Sequence, residues 1–311
     1  MCHGAVLKVD ATKMIRPLIL STLLPLLLTG MEYKIKLHRP AKVGEQFRVE
    51  MTGAESDTMT RKVGDMEDTE EKKWSAKLKG IVTVLKVNKV GSVVQMKLKV
   101  DSFTITEGKY TEEALEKGTV IKCEEKDDKD RFELWDEESK LGVPLQDGTI
   151  VDALKLLFSL DDAEDKETDD EVFGTKEKKK VGDSWKINAK ALAKSAKNDK
   201  VEIDPENVTG KMTLAGTVKA GGHKCLEMKG QFTVKGLKPP ADFPRNLRVT
   251  KSEMTGRVHS KIPVDTSLPE VENNMVVTMI MEVRNRRGQV AMKFSRRAET
   301  HTKIELLKPK R

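Results

Sequence analysis

The stretch VGDSWKI at residues 181–187 restates VGEQFRV at 43–49, and the correspondence continues outward from both. Lys42, Val43, Gly44, Glu45, Phe47, Arg48 and Val49 match Lys180, Val181, Gly182, Asp183, Trp185, Lys186 and Ile187 at a constant offset of 138. Further on, GIVTVLKVNKVGSVVQMKLKVDSFTI from Gly80 faces GKMTLAGTVKAGGHKCLEMKGQFTV from Gly210. One residue is dropped after the turn, so that Phe103 meets Phe232. Order, turns and alternation agree, which reads as an internal duplication of a β unit; two copies do not make a solenoid.

The repeated phrase has a structural rationale. Gly44 or Gly182 can take a positive φ without a Cβ clash, and the acid that follows, Asp183 in the second copy, can accept a bond from a nearby backbone N–H. A strand then starts. Alternate residues share a face, so Phe47 pairs with Val49 and Trp185 with Ile187, while Arg48 and Lys186 point the other way. Val43, Gly44, Phe47, Val181, Gly182, Asp183 and Trp185 are thus singled out as a structural motif, with Phe47 and Trp185 as buried anchors. Truncating a fully buried anchor to Ala costs about 3–5 kcal/mol.

Working outward, hairpins follow the same grammar. Residues 84–87, the turn NKVG and residues 92–100 read as strand, turn and strand, as do 275–283, NRRG and 289–297. Residues 247–262 read as one more long strand. TIVDALKLLFSL at 149–160 breaks the pattern, because Ile150, Val151, Leu154, Leu157 and Phe158 fall at helical spacing after Gly148. The charge-dense segments 55–73, 124–140 and 161–171 read as solvent-facing, the first as a long loop and the last as a linker. The predicted fold is therefore mainly β, with two related antiparallel β units forming large curved sheets or half-barrels and one short amphipathic connecting helix. The division is 1–30, 31–120, 121–171 with the helix at 149–160, 172–250, and 251–311 as long strands completing the second sheet.

The N-terminus reads as an address. PLILSTLLPLLLTG at 17–30 is an uncharged apolar run of about 14 residues, below the roughly 20 a membrane span needs, and it follows Lys13 and Arg16. It fits the apolar region of a secretory signal peptide, with initiation at Met14 giving the more compact n-region; Leu28 departs from the small-residue preference near the cut, which leaves an uncleaved anchor as the alternative. No cysteine follows at the position of a lipid anchor. Localisation is then exported, periplasmic or extracellular, with membrane contact peripheral. In an oxidising compartment Cys123 and Cys225 stand either as one disulfide or as two separate thiols.

Of the net charge of +7, the first thirty residues carry +2, and the remainder is uneven. Eight acids and one lysine fill 161–171, while ten Lys or Arg and two Glu fill 284–311. A basic end can meet an anionic lipid or polysaccharide, but charge runs of this kind are ordinary solvated surface. Aromatics are 4% of the chain, so the core is built mainly from Val, Ile, Leu and Met.

Taken together, the apolar leader, the opening KIKLHRPAKVGEQFRV, the central amphipathic helix, VFGTKEKKKVGDSWKI and the long C-terminal strands resemble a group of uncharacterised secreted β-rich proteins of bacterial envelopes. The likeness covers most of the mature chain loosely and is specific only at VGDSW. It implies an exported β protein with no catalytic residue to carry over.

Familiar chemistries are not written in the sequence. His3, His38, His223, His259 and His301 lie far apart, and His223 with Cys225 gives two ligands where zinc uses three or four. In the acidic run Lys166 occupies the sixth position, where a calcium loop needs Gly. No phosphate-binding loop, nucleophile elbow or dinucleotide fingerprint occurs, and the basic C-terminus offers Phe294 alone for base stacking, which argues against nucleic acid. No cofactor or metal is expected. The function classes left are a non-catalytic exported envelope protein, binding or structural, with a lipid, glycan or envelope protein as partner, and a hydrolase or other enzyme whose site converges only in the fold. Methionine-rich strands such as MVVTMIM at 275–281 read first as core packing, since apolar stripes ordinarily face a core, and second as a surface for an apolar ligand, since thioethers adapt to varied shapes.

Overall fold

The computed structural model of the chain describes residues 30–63, 66–125, 130–158, 160, 167–198, 202–238 and 246–307. The apolar leader with Met14 and most of the acidic run lie outside the described residues.

Strands β1 (Gln46–Val63), β2 (Met66–Val87), β3 (Val93–Glu107), β4 (Tyr110–Leu115), β5 (Val120–Glu125), β6 (Asp130–Trp135) and β7 (Gly142–Pro144) precede helix α1 (Gly148–Leu157) and the single turn α2 (Asp169–Val172). Strand β8 (Ser184–Lys186), helix α3 (Ala189–Asn198) and strands β9 (Val208–Ala220), β10 (His223–Lys235), β11 (Leu247–Pro263), β12 (Glu272–Asn285) and β13 (Val290–Leu306) follow. Among the described residues the thirteen strands make one open antiparallel sheet in the order β7-β6-β5-β3-β2-β1-β13-β12-β11-β10-β9-β8, with β4 on the outer part of β3. The fold is mainly β, as expected. The last strand lies against the first, from Phe47 opposite Leu306 to Arg61 opposite Met292, so all the strands share one sheet. No described helix is long and apolar enough to cross a membrane.

Residues 55–73 correct the sequence reading of a loop. Residues 55–63 and 66–73 are the outer parts of two paired strands, from Glu55 opposite Trp74 to Val63 opposite Met66. Polar residues on both faces hide strands from a periodicity argument, but opposed pairs such as Asp57 and Lys72, and Thr60 and Thr69 with hydroxyls 3.1 Å apart, suit a two-sided solvated ribbon.

The connecting helix forms where the spacing placed it. Asp147 caps α1 by accepting from the amides of Thr149 at 2.9 Å and Ile150 at 3.2 Å. Ala153, Leu154 and Leu157 turn inward, and the chain leaves helical geometry at Phe158. Helices α2 and α3 were not legible. In α3, AKALAKSAKN packs mostly small residues inward, Ala191 and Ala193 being buried and Leu192 half-buried against the second cluster, and Asn188 supports its start by accepting from the Ala191 amide at 3.2 Å.

Two hydrophobic clusters sit on the same face, called inner here. One gathers Leu78, Leu98, Phe103 and Ile121 beneath α1, with Leu154 fully buried. The other gathers Leu214, Met228 and Val234 with Tyr33 and Ile35 from the N-terminal segment, beside α3.

Candidate apolar ligand site on the inner sheet face

A single transverse row defines the site. Following the register across the sheet, Phe103, Leu78, Met51, Thr302, Asn273, Ser260, Met228 and Leu214 stand side by side on the inner face. Its two ends belong to the two hydrophobic clusters. Its middle is polar, so the clusters are separated by hydrogen-bonding groups at the centre of the sheet.

Against this centre lies a cavity of about 410 Å³. Phe47, Val49 and Met51 of β1, with Leu157, Phe158 and Leu160 from the end of α1, make its apolar wall. Thr302, Arg39, Asp169 and Glu270 line it at the polar side. The segment before β1 straps this end: the Leu37 amide donates to Asp170 Oδ1 at 2.6 Å, a His38 ring nitrogen lies 2.7 Å from the Val90 carbonyl, and the Ala41 amide donates to the Gly91 carbonyl at 2.9 Å.

The polar side is unusual in its electrostatics. Arg39 spends both terminal nitrogens on backbone, donating to the Pro263 carbonyl at 2.8 Å and the Asp265 carbonyl at 3.2 Å. Its Nε is buried with no partner among the described residues, and so is Asn273 Oδ1. Burial lowers the Arg39 pKa against the opposing pull of Asp170, Glu270 and Asp265. Glu270 accepts from Asn273 Nδ2 at 3.2 Å and from the Ser260 hydroxyl, yet burial, reinforced by Asp169, pushes its carboxyl up to about 7. The residue remains half-accessible at the cavity wall.

Next to the cavity the inner face continues as a lane that no described helix covers. Successive rows on β11, β12 and β13 bring together Val258, Met275 and Thr300, then Gly256, Val277 and Ala298, then Met254, Met279 and Arg296. Met275, Val277, Met279 and Met281 are the inner-facing members of the methionine-rich strand, and all are half-buried or exposed. The outer face of the same strands carries charge: Lys261 bonds Glu272 at 2.8 Å, and His259 bonds Glu227 at 2.8 Å. Hollows of about 720 and 760 Å³ on that outer side are lined by groups such as Lys211 and Arg257, or Arg48 and Lys99. Neither lining includes a buried polar atom lacking a partner, so the smaller inner cavity is the stronger candidate.

Of the residues singled out in the sequence, Phe47 alone lines this cavity. The others are found at two turns. Gly44, at φ +85°, donates to the Val84 carbonyl at 2.9 Å, and Gly182, at φ +95°, donates to the Leu214 carbonyl at 2.8 Å. In each turn the acid immediately before the strand, Glu45 or Asp183, accepts from the amide three residues back, Lys42 or Lys180. Val43 is exposed and Val181 half-buried. Phe47 and Trp185 are half-buried instead of fully buried, because Phe47 faces the cavity and the Trp185 indole keeps its N–H near the surface to donate to the Phe173 carbonyl at 2.9 Å. Arg39, Glu270 and Asn273 were not found from sequence: each sits in a short polar stretch indistinguishable from a solvated turn.

No family model matches the chain, and no curated protein matches it significantly. Solved structures show distant likeness. A structure of lipid–protein interactions in lipovitellin aligns over 85% of this chain at 8% identity and TM-score 0.36, the chain spanning about a quarter of its length (25%). A DUF1329 family protein from Desulfovibrio piger aligns over 83% of this chain and 85% of its own at 9% identity and TM-score 0.19. An exported protein with a YmcC-like fold from Bacteroides fragilis aligns over 88% of this chain and 100% of its own at 11% identity and TM-score 0.20. Likeness of this degree carries no functional information.

Proposed function

We propose that the chain is an exported, non-catalytic envelope protein that holds an apolar ligand on the inner face of its sheet. The observation that carries this reading is the cavity at the end of α1, walled by Phe47, Met51, Leu157 and Phe158 and opening beside a methionine-rich lane. Cavities of this size and lining suit small apolar ligands, and flexible thioethers suit ligands of varied shape. Export rests on the apolar leader. The matching turn registers, Phe47 opposite Val82 and Trp185 opposite Met212, support a duplication of units 31–120 and 172–250.

An enzyme reading fits less well. Ser260 bonds Glu270, but His259, next in sequence, belongs to the outer face with Glu227, so Ser260 has no imidazole base from that neighbour.

Native mass spectrometry of the chain, expressed with its own leader and purified gently from the envelope fraction, tests the proposal. A lipid-sized adduct that organic extraction removes is the expected result. A bare chain that also fails to take up a neutral apolar dye overturns it, and the search then moves to glycan or protein partners.

A further inference from the structure

The polar side of the cavity restricts what its occupant carries at the polar end. Arg39 is the cation there, and its fork is already committed to the Pro263 and Asp265 carbonyls, so it offers no bidentate grip to a carboxylate or phosphate. Two acids, Asp169 and Glu270, line the same side, and an anionic head would be repelled by them. An ammonium head would be attracted by the same acids, but Arg39, already facing Glu270, would repel it, and it would be desolvated beside Thr302 and the apolar wall. What remains unmet is one donor, Nε of the cavity-lining Arg39, and one acceptor, Oδ1 of Asn273, whose Nδ2 donates to the cavity-lining Glu270. A hydroxyl or primary amide can both donate and accept, and a small rearrangement of these side chains around it would satisfy both. A hydroxyl also suits Glu270 in either protonation state, donating to the carboxylate or accepting from the acid.

We propose that the cavity selects long-chain ligands whose polar end is uncharged and hydrogen-bonding, a hydroxyl or amide, placed at Glu270, Asn273 and Arg39 with the chain along Phe47, Met51 and Phe158. This rests on the apolar-ligand reading and narrows it to a ligand class.

The test is displacement of the neutral dye Nile red from the full chain by a decyl series: decane, decanol, monodecanoylglycerol, decanoate and decylammonium. Decane displaces through the tail site alone, and decanol and monodecanoylglycerol are expected to act at concentrations about tenfold below decanoate and decylammonium, the scale of one buried hydrogen bond in a site built to receive it. Decanoate or decylammonium acting as well as decanol overturns the head-group selection while leaving the apolar site standing. Failure of every member, decane included, overturns the apolar-ligand reading itself. In an Asn273→Leu variant that still binds Nile red, the advantage of decanol over decane should shrink several-fold; an unchanged ratio overturns the assignment to Asn273.

Discussion

Arg296 on the last strand holds Asp57 on the first through two hydrogen bonds, Nε to Oδ1 at 2.8 Å and a terminal nitrogen to Oδ2 at 2.7 Å, and reaches Glu55 at 3.2 Å. The pair lies on the inner face in the row of Met279 and ties the C-terminal strand to β1. Arg296→Lys keeps the charge and loses the fork. With the Arg296 side chain 47% exposed, the expected cost is about 0.5–1 kcal/mol in urea unfolding, shrinking in 1 M salt. A cost that does not change with salt would place the effect in packing.

The two glycine turns make a graded prediction. A Cβ at Gly44 or Gly182 meets nothing, so Ala at either position costs only the positive φ, about 1 kcal/mol. At Gly256, where φ is ordinary, a Cβ would collide with the Phe232 ring, and Ala should cost more than at either turn. Chemical denaturation of the three variants gives the ranking, and equal losses would refute it.

Glu270 links stability to pH. Its folded pKa is raised from 4.5 to about 7, so between these values the folded chain binds more protons than the unfolded one, and stability falls as pH rises through that window. Asp169 strengthens the effect, while Arg39, Ser260 and Asn273 oppose it. Allowing for the half-accessible side chain, the loss is about 1–2 kcal/mol. Thermal melts from pH 4.5 to 8 should show a smaller decline for Glu270→Gln than for the unaltered chain; parallel curves would assign the decline elsewhere.

Helix α1 covers the first cluster by a cap and a buried face. Asp147→Ala should cost about 1 kcal/mol, and Leu154→Ala, at a fully buried site, about 2–5 kcal/mol. Urea midpoints measure both. Near-silent Leu154→Ala would mean that the helix is not part of the cooperative fold.

Cys123 on β5 and Cys225 on β10 are buried free thiols, and six strands separate theirs in the sheet order. At about 4.8 Å per strand the gap far exceeds the roughly 7 Å a disulfide allows between Cα atoms. Mass spectrometry of the unreduced, alkylated chain should find both thiols labelled after denaturation and neither labelled quickly before it.

The strand-rich class, the paired turns and α1 were legible in the sequence because each rests on local order: a glycine at positive φ, alternation along a strand, a helical stripe. The sequence reading took 55–73 for a loop because a ribbon solvated on both faces has no apolar period, and it missed α3, whose inward stripe carries one leucine, Leu192, among alanines. That the last strand joins the first could be seen only in the folded chain, since antiparallel partners far apart in the chain are chosen by register and burial and not by neighbours in sequence. The same pairing sets Thr302 beside Met51 and Asn273 beside Ser260, and so creates the polar centre and its cavity. Arg39 and Glu270 acquire their meaning there, from groups that approach them only when the sheet has formed.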